Sequence, residues 1–335
     1  MYKMCICIPT LNRVQYIGET LDSIVPQLQD GDVEMVIVDG GSNDGTEALV
    51  AGYAKKFPVI RYVKREKSAD APSNAGFDRD CSYAVELANA EYCWLMTDDD
   101  IVQPGAIRKI LAHLEAGHDL VVASCEIRDV LLRTTLVDSR PGLSEDRVFQ
   151  PGDWEEFCRR SVVHLTFVGA VIVKRSLWLE RHPESFFGSG LVHVGVIFSA
   201  PVQGSVLIIA EPLVVIRYGN AMWSKRGFEI FMLQWPELIW SLRGIQDAAK
   251  QSITPRDPWR LWRVLLLQRA YGRYSLVEYR TYLQRRFSSP MQRGTARLIA
   301  LIPQWLLYGP AWVYGRLLHP HPRYFIATLK EGMRR

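Results

Sequence analysis

A chain of 335 residues that is 48% hydrophobic and 23% charged has the balance of an ordinary globular protein, with room for one large domain and an appendage or for two domains. That composition excludes a disordered or fibrous chain, a repeat array and a small stapled scaffold. The net charge of +4 hides an asymmetry, because residues 256–335 hold 15 Lys and Arg against 3 Asp and Glu, leaving the tail at +12 and everything before it at −8. A basic tail suits nucleic acid, an anionic membrane surface or an acidic partner, and charge alone does not choose among them.

Met1-Tyr2-Lys3 runs at once into Met4–Ile8, too short for a signal sequence, so a first strand of a cytosolic protein is expected. Further short apolar runs at Val33–Val38, Val59–Val63, Tyr92–Met96 and Leu120–Ser124 alternate with helical patterns. Ile17, Leu21, Ile24, Val25 and Leu28 form one helical stripe, and a second helix is expected over roughly 80–90. Such alternation predicts an α/β fold, a mostly parallel sheet flanked by helices, with ligands bound beyond the carboxyl ends of the strands. Apolar runs at Val168–Val173 and Val206–Ile209 read as later strands, and the chain turns helical after Tyr218. The six cysteines lack C-x-x-C pairs and metal-type spacing, which points to a reducing compartment and no zinc.

Three strand ends carry the chemistry. Asp98-Asp99-Asp100 follows the Tyr92–Met96 run, and three adjacent carboxylates repel one another unless a cation neutralises them. Mn²⁺ or Mg²⁺, which take oxygen ligands and hold diphosphates, would do so. The alternative is a solvated turn capping the next helix. Asp39 ends the second strand before Gly40-Gly41, where the backbone can approach a ligand closely. Its carboxylate suits a base N–H or a ribose hydroxyl, while Asp44 suits a helix N-cap. Pro9-Thr10-Leu11-Asn12-Arg13 offers a hydroxyl, an amide and a cation at the same sheet edge.

Ile8–Arg13, Val36–Thr46, Ser73-Asn74-Ala75-Gly76 and Thr97–Asp100 together resemble, in order and spacing, glycosyltransferase family 2, over about residues 3–220. The resemblance implies a GT-A (Rossmann-like) fold over 1–220 and metal-dependent, inverting transfer of a sugar from a nucleoside-diphosphate donor. It implies that Pro9, Thr10 and Asn12 border the nucleotide, that Asp39 contacts its base or ribose, and that Asn74 and Gly76 line the pocket. Asp98, Asp99 and Asp100 would supply the D-x-D function and hold the metal, with Asp98 also at the substrate and Asp100 counted as catalytic. The commoner form of the motif has an aspartate where Thr97 stands. The Thr-Asp-Asp-Asp form, preceded by Phe77-Asp78-Arg79-Asp80, is similar to the abequosyltransferase branch of bacterial surface-polysaccharide synthesis. The family's general base is commonly an acidic pair about ninety residues further on. Here that place holds His193, which can act as a base near neutral pH, with Asp129 and Glu184 as alternatives. Arg217, Trp223, Lys225 and Arg226 are expected on a loop over the departing diphosphate and the sugar.

Residues 221–335 are expected to form a helical, basic-aromatic appendage. Residues 298–315 carry no charge between Arg297 and Arg316, yet Pro303 and Gly309-Pro310 interrupt them, so 297–318 reads as an interfacial anchor rather than a span. Arg256, Arg260, Arg263, Arg269, Arg273 and Arg280 would face an anionic leaflet. The alternative is a packed helical subdomain or a contact between copies. The expected function is sugar transfer to a lipid-linked glycan acceptor by an enzyme on the inner face of the cell membrane. The competing readings are a soluble acceptor with an oligomerising tail, and a nucleic-acid-binding protein, for which the long uncharged segment is poorly suited.

Overall fold

The computed structural model describes residues 1–28, 31–65, 76–221 and 226–333. The chain folds into two compact units: Met1–Glu126, Asp138–Arg217 and Leu242–Ala249 form the first, and Ile127–Val137, Tyr218–Ser241 and Lys250–Arg335 the second.

In the first unit, β1 (Tyr2–Thr10), β2 (Val33–Asp39), β3 (Ile60–Lys64) and β4 (Ala90–Leu95) lie parallel in the order β3-β2-β1-β4. They are joined by α1 (Ile17–Ile24), α2 (Thr46–Lys56) and α3 (Gly76–Leu87). Every residue from Met4 to Thr10 is buried, so both faces of β1 are covered and its sequence reads as a continuous apolar run rather than an alternating one. Ile17, Leu21 and Ile24 turn one face of α1 onto Ile6, Ile37 and Trp94 in a shared core. The stripe continues into Val25 and Leu28 through a 3₁₀ turn, because Pro26 has no N–H to give an α ladder. The register sets Thr10 beside Asp39, which brings the ends of β1 and β2 level.

Beyond β4 the pairing changes. β5 (Ile101–Val102), β6 (Leu120–Arg128), β7 (Thr135–Arg140), β8 (Arg147–Phe149), β9 (Val171–Lys174) and β10 (Val206–Arg217) complete a ten-stranded sheet. β9 sits antiparallel between β4 and β6, and β10 runs antiparallel to β5 and β8. The fold is therefore α/β as expected, with β3, β2, β1 and β4 parallel to one another and β9 antiparallel to both of its neighbours. The run Val168–Val173 is split: Val168–Ala170 form a 3₁₀ turn, with Gly169 so close to the Phe167 ring that a Cβ there would come within 2.4 Å of it. Helices α4 (Ala106–Leu114), α5 (Trp154–Ser161), α6 (Arg175–Glu180) and α7 (Val192–Phe198) complete this part of the chain. The buried Trp94 indole N–H donates to the Gly169 carbonyl (2.9 Å) and the Tyr92 hydroxyl to that of His118 (2.8 Å), so neither large ring costs an unpaired polar atom. All six cysteines are buried, free thiols.

The rest of the chain is helical: α8 (Gly227–Glu229), α9 (Trp235–Ser241), α10 (Asp247–Ile253), α11 (Trp262–Ala270), α12 (Leu276–Glu278), α13 (Pro290–Leu301), α14 (Gln304–Leu317) and α15 (Pro322–Met333). The second unit has its own cores. One gathers Phe228, Met232, Trp259, Tyr274, Leu283 and Phe287; the other gathers Ala270, Phe325 and Leu329, with Leu307, Tyr308 and Ala311 of α14 against them. The expected break at Pro303 separates α13 from α14, but α14 runs on through Gly309-Pro310. Leu307, Ala311 and Gly315 fall at four-residue intervals on the packed side, and this tertiary contact outweighs the local penalty of Pro310. No helix among the described residues is long and apolar enough to cross a membrane.

Candidate active site

The site is assembled at the carboxyl ends of β1, β2 and β4. The loops after β1 and β2 are stitched together by short side chains: Asn12 N–H donates to Ser42 Oγ (2.8 Å), Asn43 N–H to Asn12 Oδ1 (2.9 Å), and Arg13 N–H to Thr46 Oγ1 (3.0 Å). Asn12 takes a left-handed φ of 54° to do this, a conformation asparagine tolerates better than most residues. Gly45 rather than the expected Asp44 is the N-cap of α2; Asp44, one residue before it, accepts from Thr46 N–H at 3.1 Å and from Val14 N–H at 3.1 Å, tying the start of the helix to the first loop.

Asp39 is fully buried. Its Oδ1 accepts from the backbone N–H groups of Gly41 (2.9 Å) and Ser42 (2.7 Å), and its Oδ2 from the Tyr62 hydroxyl (2.6 Å). Burial, then the carboxylate beside it, pushes the Tyr62 phenol well above its usual range. The close approach expected at Gly40 is made by the protein itself, since a Cβ there would meet Asp80 Oδ2 at 2.7 Å. Asp80 in turn pairs with Arg65 at 2.5 Å.

Asp98, Asp99 and Asp100 are each less than a tenth exposed, which does not fit the alternative of a solvated turn. Arg13 bridges two of them: its Nε donates to Asp98 Oδ1 at 3.0 Å and its Nη2 to Asp99 Oδ2. Asp100 accepts from the Thr97 hydroxyl and, at 2.7 Å, from the Arg217 backbone N–H. Arg217 Nε donates to the Asp99 carbonyl (2.9 Å) and its Nη2 to Glu19. The Arg13 and Arg217 guanidinium groups lie 5.1 and 5.2 Å from the centre of the Tyr16 ring. The β5–β10 pairing, Ile101 opposite Val215, brings Arg217 to this turn. Arg13 faces two of the three carboxylates, and Arg217 reaches Asp100 through its backbone N–H. Burial and the neighbouring Asp99 raise Asp98 to about 6 against the pull of Arg13, and the same causes raise Asp100 well above the usual carboxylate range. The Thr10 hydroxyl adjoins Asp98 but makes no regular hydrogen bond, although it is buried. These hard oxygen donors and their surplus negative charge fit Mn²⁺ or Mg²⁺ in kind. No three acidic, histidine or cysteine side chains among the described residues converge on one ion position.

Other expected residues stand elsewhere. His193 lies in α7 with every residue of that helix buried; its Nε2–H donates to the Leu165 carbonyl (2.8 Å), and Nδ1 has no hydrogen-bond partner. Burial pushes its pKa down to about 4, so the residue offered as a base stands in the structure as a packed, buried imidazole. Among the alternatives, Asp129 closes a turn by accepting from Arg133 N–H, and exposed Glu184 lies 3.2 Å from His182. Arg217 is buried and committed to the acidic turn rather than carried on a loop. Arg226 belongs to the second unit and pairs with Glu229 at 2.8 Å. Gly76 opens α3, where a Cβ would meet no atom of the described residues within 4 Å, and Pro9 is buried in β1 opposite Val38. Asn74, Trp223 and Lys225 lie outside the described residues. Tyr62, Tyr16 and Glu19 were not singled out from sequence, because each is one polar residue in an otherwise unremarked strand or helix start.

A half-parallel sheet with acidic turns at the ends of its second and fourth strands defines the class as a GT-A-type α/β enzyme. Residues 5–165 match Glycosyl transferase family 2, and the chain is a glycosyltransferase. It is 29% identical to the abequosyltransferase RfbV of Salmonella typhimurium, over 66% of this chain and 68% of that one. It is 28% identical to the GalNAc(5)-diNAcBac-PP-undecaprenol beta-1,3-glucosyltransferase of Campylobacter jejuni, over 56% and 57%. Among solved structures it resembles the mannosyltransferase PcManGT of Pyrobaculum calidifontis in complex with GDP-Man and Mn²⁺, with a TM-score of 0.52 at 16% identity, covering 100% of this chain and 87% of that one. The last similarity is one of fold.

Proposed function

We propose that the protein is a divalent-metal-dependent, inverting glycosyltransferase that moves a sugar from a nucleoside-diphosphate donor to a polyprenyl-diphosphate-linked glycan, in bacterial surface-polysaccharide biosynthesis. The observation that carries this reading is the meeting of Asp98–Asp100, Arg13 and Arg217 at the end of β4, within a first unit whose β2 end holds Asp39. Asp39, oriented by Gly41, Ser42 and Tyr62, presents a fixed carboxylate for the nucleoside. One or two carboxylates among Asp98, Asp99 and Asp100, together with the donor's phosphates, would hold Mn²⁺ or Mg²⁺, which when bound supplies positive charge to the departing diphosphate. Thr97 and the Arg217 backbone fix Asp100, so the turn is organised before any ligand arrives. The Salmonella and Campylobacter relatives support the polysaccharide assignment, and the undecaprenol in the latter's name supports a lipid-linked acceptor.

The second unit supports a peripheral place on the inner face of the membrane. α14 packs Leu307, Tyr308 and Ala311 inward, yet Trp305, Leu306, Trp312, Val313 and Leu317 on its other sides are exposed, Trp305 by 66%. A helix apolar all round is out of place facing water. Arg293, Arg297 and Arg316 flank this surface in sequence, with the charge an anionic leaflet attracts.

Calorimetry with UDP, GDP, ADP, CDP and dTDP, each with and without Mn²⁺, tests the donor site. One nucleotide should bind, more tightly with Mn²⁺, and Asp39→Ala should weaken that binding about tenfold or more. Sugar transfer to a polyprenyl-diphosphate glycan should stop in EDTA; full activity there refutes the metal role.

A further inference from the structure

We propose that Arg13 is the resident counter-ion of the Asp98–Asp99 pair, and that it makes entry of a divalent cation conditional on the nucleoside diphosphate; the inference rests on the donor-site reading above. The guanidinium spends Nε on Asp98 Oδ1 and Nη2 on Asp99 Oδ2, the oxygens a hard cation would need. It is not a surface side chain that happens to lie there. Arg13 is 8% exposed, its backbone N–H is tied to Thr46 Oγ1 at 3.0 Å, and its guanidinium rests 5.1 Å from the Tyr16 ring centre. The planar fork matches two carboxylates at once, which a point charge does not do.

A free divalent ion approaching this turn meets oxygens already taken by a fixed positive charge that also repels it. Arg217 adds a second charge on the same ring, with its side chain turned to the Asp99 carbonyl and Glu19. A nucleoside diphosphate changes the balance, because its negative charge offsets the added cation and offers the guanidinium another acceptor. Metal and nucleotide must then strengthen each other's binding by the same factor, since coupling between two ligands is reciprocal. Arg13 was visible in the sequence only as a cation at the sheet edge; its engagement with residues eighty-five and eighty-six positions away is a product of the fold.

The test is Mn²⁺ binding to the full chain, followed by electron paramagnetic resonance of the free ion, with no nucleotide and with each of the five diphosphates above. Wild-type protein should bind Mn²⁺ about tenfold or more weakly alone than with the nucleotide that binds. Arg13→Met should bind Mn²⁺ alone about tenfold more tightly than wild type and lose most of the coupling, whereas Arg13→Lys, which keeps the charge but not the fork, should fall between the two. If Arg13→Met does not fold, by circular dichroism melting, Arg13→Gln removes the charge while keeping an N–H for Asp98 and should give the same result. Neutral variants with wild-type Mn²⁺ affinity and wild-type coupling overturn the role of Arg13 and leave the metal site standing. Absence of Mn²⁺ uptake by every protein with every nucleotide overturns the metal site and this inference together.

Discussion

His193 shows how one residue can satisfy a sequence argument and fail a structural one. Its position beyond the acidic turn and its unperturbed pKa suit a base, but Leu191, Val192 and Val194 around it are core residues, and α7 turns the imidazole inward to the Leu165 carbonyl. Desolvation then favours the neutral ring at every pH where the enzyme would work. His193→Ala is expected to lower stability by about 2–4 kcal/mol, from the cavity and the unpaired carbonyl, while the folded fraction keeps its turnover. Urea denaturation and kcat measured on the same preparation check this; a loss of kcat without a loss of stability would return the histidine to the chemistry. Asp98–Asp100 and Asp39 were legible as chemistry from their positions after apolar runs. That Arg13, Arg217 and Tyr62 are their partners was not, because a contact between residues far apart in the chain leaves no local pattern.

At the scale of elements, α3 acts as a brace between loops. Asp78 accepts from Gly188, Gly190 and Val192 N–H at 2.8, 2.8 and 3.1 Å, fixing the approach to α7, while Asp80 reaches Gly40 and Arg65. Burial raises both carboxyls to about 6 against these bonds. A carboxyl whose folded pKa exceeds its unfolded value of about 3.9 binds protons more tightly when folded, so its contribution to stability falls as pH rises from about 4 through about 6. Asp80→Asn cannot ionise and escapes that loss. The melting temperature of the variant minus that of wild type should therefore increase between pH 4.5 and 7; a constant difference would show that Asp80 ionises as it does in the unfolded chain. The strands β1, β2 and β4 were readable as continuous apolar runs because each is buried on both faces, whereas β3, with Arg61 and Lys64 exposed, was readable by its place in the alternation. The antiparallel placing of β9 was not readable, since an apolar run carries no sign of its direction relative to its neighbours.

For the whole molecule, the question is what the exposed apolar surface of the second unit meets. Replacing Trp305 and Trp312 with Ser removes large side chains that are 66% and 40% exposed, so it should leave the melting curve nearly unchanged. Flotation with anionic liposomes should fall about tenfold or more per tryptophan, because a side chain of this size gains about 1.5–3 kcal/mol when buried in an apolar phase. Binding retained by the double variant would assign the surface to something other than a bilayer. The uncharged stretch and its flanking arginines are properties of composition, plain before any folding. Which of its residues are available is decided by Phe325 and Leu329, which hold Leu307, Tyr308 and Ala311 and leave Trp305 and Trp312 outside. By itself the sequence determined the α/β class, the ordered strand-end motifs and the basic, aromatic tail, because each depends on residues close together in the chain. The tertiary structure alone decided that Arg13 pairs with Asp98 and Asp99, that the Arg217 backbone meets Asp100 and that His193 is buried, because charge pairing and burial depend on distances that folding sets.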